Sequence, residues 1–296
     1  MKFSHSSLNC YRKCPKMYWW RYVRRIEPIR EPDAFIIGRM MHTLVENYYK
    51  TGKTRDEVII MAAAKASDLF TNSAPEDLEN LMTMFITATS MFKHMPEIFL
   101  ERNRGNLVEI KFSISIARGI EYEGYIDRID GNTLRELKTT TLPDSFIRYA
   151  AVSPQVTGYM LGCREMGKDI KSITYDLVRK PLLRKKAAET GEDFHKRIAE
   201  DYRTRPEFYY RREYTYRNDE QIDMFQEDLK HICTEISTKV LTNTGFYRNH
   251  EACFARGKCP YYDICFSNSK DDTFEKIFYK PVDDDRNKHD LAEDIE

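Results

Sequence analysis

The chain has 296 residues, with 47 Lys and Arg against 47 Asp and Glu. That is enough for one large domain or two small ones, and the balance rules out a global basic field, so any nucleic-acid contact must come from local patches. Apolar residues make up 41% and aromatic residues 12%, the mix of a globular chain with a real core, and no apolar run is long enough to span a bilayer.

The first stretch, Met1 to His5, lacks the apolar segment of a secretory leader, so a cytoplasmic protein is expected. Seven cysteines, an odd number, point in a reducing compartment to a metal site with spares instead of disulfides. From Ser4 to Tyr22 the chain reads S-H-S-S-L-N-C-Y-R-K-C-P-K-M-Y-W-W-R-Y. Ser6 or Ser7 is a candidate cap for a short helix from Leu8, ending near Cys14-Pro15. Tyr18, Trp19, Trp20 and Tyr22 alternate with Lys16, Arg21, Arg24 and Arg25. That mixture suits base stacking and phosphate contact, and equally an aromatic core edge with a solvated basic rim.

Pro32 precedes a helix over about Asp33 to Tyr49, with Phe35, Ile36, Met40, Leu44 and Tyr48 as its apolar stripe. Gly38 in that helix lets a neighbouring backbone approach, and His42 follows one turn later. A lone histidine there is more often hydrogen-bonded than ligating. Two more helices follow, about Arg55 to Phe70 and, after Ser73 with Pro75 in its first turn and Glu76 three residues from the cap, a long one to about Arg102, ended by Arg104-Gly105-Asn106. Strands then take over. Val108, Ile110, Phe112, Ile114 and Ile116 alternate over Leu107 to Ile116, Arg118-Gly119 turns the chain, and a second strand covers Ile120 to Ile129.

Gly124 to Thr140 reads G-Y-I-D-R-I-D-G-N-T-L-R-E-L-K-T-T. Asp130-Gly131 favours a tight hairpin. If that dipeptide is the loop, Asp127 lies opposite Leu134 and shares a face with Glu136 and Lys138; a three-residue loop would separate them. Two carboxylates this close repel unless a hard divalent cation such as Mg²⁺ or Mn²⁺ lies between them. Lys138 would then reach a water or a phosphate oxygen, which equips the site for metal-assisted phosphodiester hydrolysis. Taken alone, the pattern also fits a solvated charged strand face.

Beyond Pro143 a short helical piece runs to about Ala151, and Ser153-Pro154 starts a helix from Gln155 to Met166, stopped at Gly167. Gln155 and Tyr159 share its N-terminal face, suited to a phosphate. Lys171 to Val178 reads as a strand that joins the sheet in parallel after this crossover. Arg179-Lys180 and Arg184-Lys185-Lys186 form the densest basic segment. Then come a helix over Gly191 to Arg203, a strand-like Phe208 to Tyr216, and a long amphipathic helix over Asp219 to Leu241. In E-A-C-F-A-R-G-K-C-P-Y-Y-D-I-C-F-S, Cys253, Cys259 and Cys265 are spaced for metal. Cys14 is the preferred fourth ligand over Cys10, since Cys163 and Cys233 sit on apolar helix faces. The acidic tail from Asp283 is expected to be disordered.

These stretches together resemble the RecB-type branch of the PD-(D/E)XK nuclease superfamily, in particular its iron–sulfur members related to the AddB nuclease domain and the CRISPR-associated adaptation nucleases. The resemblance rests on Gly38-x-x-x-His42, Gly124-Tyr125-Ile126-Asp127, Glu136-Leu137-Lys138, Gln155-x-x-x-Tyr159, and Cys14 with the three late cysteines, in that order. It implies an α/β, restriction-endonuclease-like fold: a mixed central sheet flanked by helices, an N-terminal helical region and a C-terminal cysteine cap. Residues 1–270 would form one nuclease domain, with 1–104 mainly helical, 105–216 the catalytic sheet and 217–270 the last helix and cysteines. It implies that His42, Asp127, Glu136 and the Leu137 carbonyl bind Mg²⁺ or Mn²⁺, that Lys138 activates water, and that Gln155 and Tyr159 contact DNA or the site's rim. It also implies a [4Fe–4S] cluster on Cys14, Cys253, Cys259 and Cys265. The spacing C-x5-C-x5-C departs from the C-x2-C-x5-C of the best-known relatives, which keeps zinc open as the alternative. The expected activity is cleavage of single-stranded DNA or DNA ends in replication, recombination or repair; a DNA-binding accessory protein that does not cut is the alternative. No Walker A motif is present, so a helicase or recombination partner would be another chain.

Overall fold

The structure, a computed structural model, describes residues 1–30, 32–72, 75–102, 106–255, 257–266 and 272–282. The expected cap at Ser73, the stop at Arg104-Gly105 and the tail from Asp283 lie outside these residues. In chain order the elements are β1 (Lys2–Phe3), α1 (His5–Lys13), α2 (Pro15–Tyr18), a π-helical turn (Trp19–Val23), β2 (Ile26–Pro28), α3 (Asp33–Thr51), α4 (Arg55–Asn72) and α5 (Pro75–Lys93). After a short 3₁₀ turn (Glu97–Phe99) come β3 (Leu107–Ala117), β4 (Ile120–Asp130), β5 (Thr133–Thr140), α6 (Pro143–Ala150), α7 (Pro154–Glu165) and β6 (Ser172–Arg179). The chain continues through α8 (Gly191–Thr204), α9 (Pro206–Tyr209), β7 (Tyr210–Thr215), α10 (Asp219–Thr242), a 3₁₀ turn (His250–Cys253), α11 (Tyr262–Phe266), α12 (Asp272–Phe278) and β8 (Tyr279–Pro281).

The fold is the mixed α/β architecture expected. The main sheet runs β1-β4-β5-β6-β7, with β3 paired along the other edge of β4. The pairs β3/β4, β4/β5 and β6/β7 are antiparallel, whereas β5/β6 is parallel. The crossover between β5 and β6 contains α6 and α7, as parallel neighbours require. Lys2 and Phe3 add a short parallel strand against Glu121 and Tyr122, an element too brief to carry a periodic signal. A second sheet pairs β2 with β8.

Two cores flank the sheet. One gathers Phe112, Tyr122, Ile126, Leu134, Tyr159, Leu161, Tyr175 and Leu229 between the sheet and α1, α7 and α10. The other gathers Met41, Leu44, Phe92, Leu137, Val178, Ile198 and Tyr202 beneath α3, α5 and α8. Leu134 and Leu137, three residues apart, thus face opposite layers, as the two-residue period of β5 dictates. Helix α7 lies close to the sheet because Gly162 has no side chain: a Cβ there would sit 2.7 Å from the Phe112 ring.

Several boundaries move. Helix α1 starts earlier than expected, capped by Ser4, whose hydroxyl accepts from the Ser7 amide in a reciprocal capping box. Helix α5 ends at Lys93 instead of about Arg102. Pro96 supplies no amide and disfavours helix in the residue before it, so the chain breaks there. Ser153 precedes α7, but its side chain makes no capping bond.

Candidate metal centre and cysteine site

The hairpin loop lies one residue later than expected, which shifts the pairing by two. Asp130 pairs with Thr133, Ile129 with Leu134 and Arg128 with Arg135. The two-residue loop is therefore Gly131-Asn132, with Gly131 at φ 57°, the glycine-first pattern of a type II′ turn. Continuing this register sets Asp127 across from Glu136 instead of Leu134. A shift of the pairing by two residues turns no paired side chain over, and the charge of Asp127 acts on both Glu136 and Lys138. Pairing of β4 with β5 stops at Arg128, and Asp127 sits where the strands part. Its Oδ2 accepts the Leu137 amide at 2.9 Å, closing the gap through a side chain.

Three elements converge on Asp127. Helix α3 brings His42, whose Nδ1 lies 3.6 Å from Asp127 Oδ2. Strand β3 brings Glu109, flanked by the pairs Val108–Arg128 and Ile110–Ile126 and so standing across from Asp127. One ligand-type atom each from His42, Glu109 and Asp127 lies within 4.8 Å of the others. Glu109 has φ 49°, a conformation that non-glycine residues adopt rarely. These side chains line one cavity together with Glu46, Tyr49, Leu137 and Arg128.

Glu136 is fully buried. Its Oε1 is ion-paired to Lys138 Nζ, and its Oε2 has no hydrogen-bond partner among the described residues. Burial first, then the charge of Asp127, pushes its carboxyl up to about 7. Burial, Asp127 and Glu46 push Glu109 further, to about 9. Burial pulls Lys138 down, but Glu136 and Asp127 outweigh it and hold the ammonium above its ordinary value. Carboxylates crowded at such cost, one with an oxygen left over, fit a hard divalent cation. His42, Glu109 and Asp127 could hold it, with Glu136 beside them.

Gln155 and Tyr159 meet as their spacing implied: the amide Nε2 donates to the hydroxyl at 2.8 Å. Tyr159 is buried. Burial, then Glu136 and Asp127, raise its phenol well above the ordinary value, so the start of α7 faces the carboxylates. Glu109 is the site residue that sequence reasoning missed. It sits among polar positions of an ordinary alternating strand, and its backbone conformation leaves no trace in the residue type.

The four cysteines singled out from the sequence line a second cavity, with Met17, Arg248, Asn249, Tyr261 and Phe266. Cys14 caps α1 next to Pro15, and the Asn249 amide donates to its sulfur at 3.4 Å. The Cys259 amide donates to the Cys253 carbonyl at 2.7 Å and the Cys265 amide to the Tyr261 carbonyl at 2.9 Å, folding the late cysteines around the cavity. All four thiols are free. Among the described residues the sole set of three such ligand atoms within 4.8 Å is His42, Glu109 and Asp127. Cys163 and Cys233 are buried in the main core, as expected, and Cys10 is buried there too.

The aromatic and basic stretch near the N-terminus is a core edge. Tyr18 is buried and stacks on Tyr22 at 5.0 Å and Phe246 at 6.3 Å, and Trp19 donates to Asn243. In the basic segment after β6, Lys185 is ion-paired to Glu79, and the Arg184 carbonyl accepts from Arg197. No helix among the described residues is long and apolar enough to cross a membrane.

Comparison with known proteins places this geometry. No curated protein matches the sequence. Among solved structures, a candidate exonuclease from Eubacterium rectale superposes with a TM-score of 0.52 at 13% identity, over 93% of this chain and 91% of that one. A phage-related exonuclease from Haemophilus somnus gives 0.36 at 14% identity, over 70% of this chain and 95% of that one. A family model for the PD-(D/E)XK nuclease superfamily matches residues 2–266. With that match across nearly the whole chain, over a mixed sheet whose opened hairpin carries Asp127, Glu136 and Lys138, the protein belongs to the PD-(D/E)XK nuclease superfamily.

Proposed function

We propose that this protein hydrolyses phosphodiester bonds in DNA, acting on single strands or ends, with Mg²⁺ or Mn²⁺ held by His42, Asp127, Glu136 and the Leu137 carbonyl, and with Glu109 added to that set. The observation that carries the reading is the crowding at Asp127: several carboxyl groups and one imidazole gathered in a cavity, with Lys138 beside them. A divalent cation bound there supplies Lewis acidity and offsets charge on a phosphoryl group. The protein's own part is positional. Asp127, its Oδ2 anchored by the Leu137 amide, holds that same oxygen within 3.6 Å of His42 Nδ1. Lys138 takes its place beside Glu136 as a fixed positive charge that orients a water for in-line attack and accompanies its proton loss. Gln155 donates to the buried Tyr159 hydroxyl and fixes it in place beside the carboxylates.

Membership of the RecB-type iron–sulfur branch is part of the same proposal, with Cys14, Cys253, Cys259 and Cys265 holding a [4Fe–4S] cluster. What supports a bound group there is that all four cysteines line one cavity; zinc is the alternative occupant. The bound group contributes a cross-link between the first and last parts of the chain. Work alongside a separate helicase or recombination protein in DNA repair follows from the same branch.

The test is digestion of end-labelled single- and double-stranded DNA in Mn²⁺ and in excess EDTA. Cleavage confined to Mn²⁺ is expected. DNA binding without cleavage under any divalent cation would leave an accessory DNA-binding protein instead.

A further inference from the structure

Trp20 and Cys265 lie 245 positions apart in sequence and meet at the cysteine cavity. The indole Nε1–H donates to Cys265 Sγ at 3.0 Å. An indole nitrogen only donates, and a thiolate accepts far better than a thiol. The ring is held in place from several sides. Trp19 packs edge-on against it at 4.7 Å, and Lys16 Nζ stands 4.9 Å from its centroid. Both tryptophans belong to the π-helical turn Trp19–Val23, a local widening of the kind often found where a side chain must be aimed. Cys265 is further fixed through its carbonyl, which accepts from Arg248 Nη2 at 3.2 Å. Cys14 receives its own N–H donor, from Asn249.

A donor to a ligating sulfur withdraws electron density from it. The reduced, more negative form of an iron–sulfur group gains most from that donation, so its potential rises, and the ligand is held in one orientation. We propose that Trp20 is a positioning residue of the cysteine site: its indole N–H fixes Cys265 Sγ and sets the reduction potential of the cluster bound there. This rests on the iron–sulfur reading above.

Trp20→Phe keeps an aromatic ring and removes the N–H. Trp19→Phe is the control, because its N–H goes to Asn243 Oδ1 at 3.2 Å and not to sulfur. Iron and acid-labile sulfide would be measured in all three proteins purified without oxygen, followed by a reductive titration of each. The expected result is equal iron in the three, with the potential shifted negative in Trp20→Phe alone. A Trp20→Phe protein that keeps its native circular dichroism but loses the iron that Trp19→Phe retains supports the role of Trp20 more strongly still. Equal potentials at equal iron content, or equal shifts in both variants, overturn the role of Trp20 and leave the cluster standing. Wild-type protein free of iron and sulfide overturns both.

Discussion

Lys138 and Glu109 test the site at the scale of single residues. Lys138 places its positive charge directly against Glu136. Lys138→Ala is expected to lower single-turnover cleavage by roughly a hundredfold or more with little change in DNA affinity, as read by parallel cleavage and binding titrations. Glu136 and Glu109 carry folded-state values raised to about 7 and about 9. A carboxyl raised above its unfolded value favours the folded state while protonated, fully so below the unfolded value. That contribution is lost as pH rises through the folded one. The metal-free protein is therefore expected to lose stability between about pH 5 and about pH 9 from these two groups. Cation binding requires their ionised forms, so Mn²⁺ affinity should rise across the same window; calorimetric titration at several pH values checks it. Glu109→Gln should weaken Mn²⁺ binding by about tenfold and flatten the upper part of that pH dependence. Asp127, Glu136 and Lys138 are grouped by the two-residue period of the strands, whereas His42 enters only through the family resemblance; the fold sets its Nδ1 3.6 Å from Asp127. Glu109 was not legible, because alternation along β3 gives it the look of a solvated charge, and only a left-handed backbone reveals its difference.

The hairpin and α7 decide the site at the scale of elements. The loop at Gly131-Asn132 moves the register from the one that Asp130-Gly131 suggests, yet the shift is even, so the functional face survives. An odd shift would have turned Asp127 away from Glu136. Asp130 on β4 is ion-paired across the hairpin to Arg135 on β5, which suits that register. Arg212 grips Asp176 at 2.6 and 3.0 Å, and Arg128 donates to Asp130 at 3.1 Å. Helix α7 brings Gln155 and Tyr159 to the carboxylates because Gly162 lets it settle on Phe112. Gly162→Ala should cost about 1–3 kcal/mol in urea unfolding, since backbone and an aromatic ring must give way. An unchanged midpoint would mean that α7 has slack to absorb the methyl group. Boundaries were legible to within a turn where caps and glycines mark them. Helix α5 was misjudged, because apolar spacing continues through Phe92, Met95, Phe99 and Leu100 although Pro96 has already ended the helix.

At the scale of the whole molecule, the two ends of the described chain close on each other. Lys16 donates its amide to the Tyr247 carbonyl at 3.0 Å, Tyr261 its hydroxyl to the Ile26 carbonyl at 2.8 Å, and β2 pairs with β8. Cys14 lines one cavity with late cysteines more than two hundred residues away, and a group held by all four, as proposed, would constrain the unfolded chain strongly. Cys14→Ser should lower the iron content and the unfolding temperature together while sparing the sheet, measured by iron assay and thermal circular dichroism; full iron in that variant would remove Cys14 from the ligand set. Cysteine spacing singled out the residues that line the second cavity, whereas the aromatic run beside Cys14 read as readily for nucleic acid as for core. Only the folded chain, with Tyr18 between Tyr22 and Phe246, decides for core. Asp127, Glu136 and Lys138 stand or fall together as one hydrolytic centre. Single-turnover cleavage of end-labelled DNA by wild type and Lys138→Ala, side by side in Mn²⁺, tests this most directly. Cutting by wild type alone is expected; equal rates in the two proteins, or wild-type cutting undiminished by excess EDTA, would contradict it.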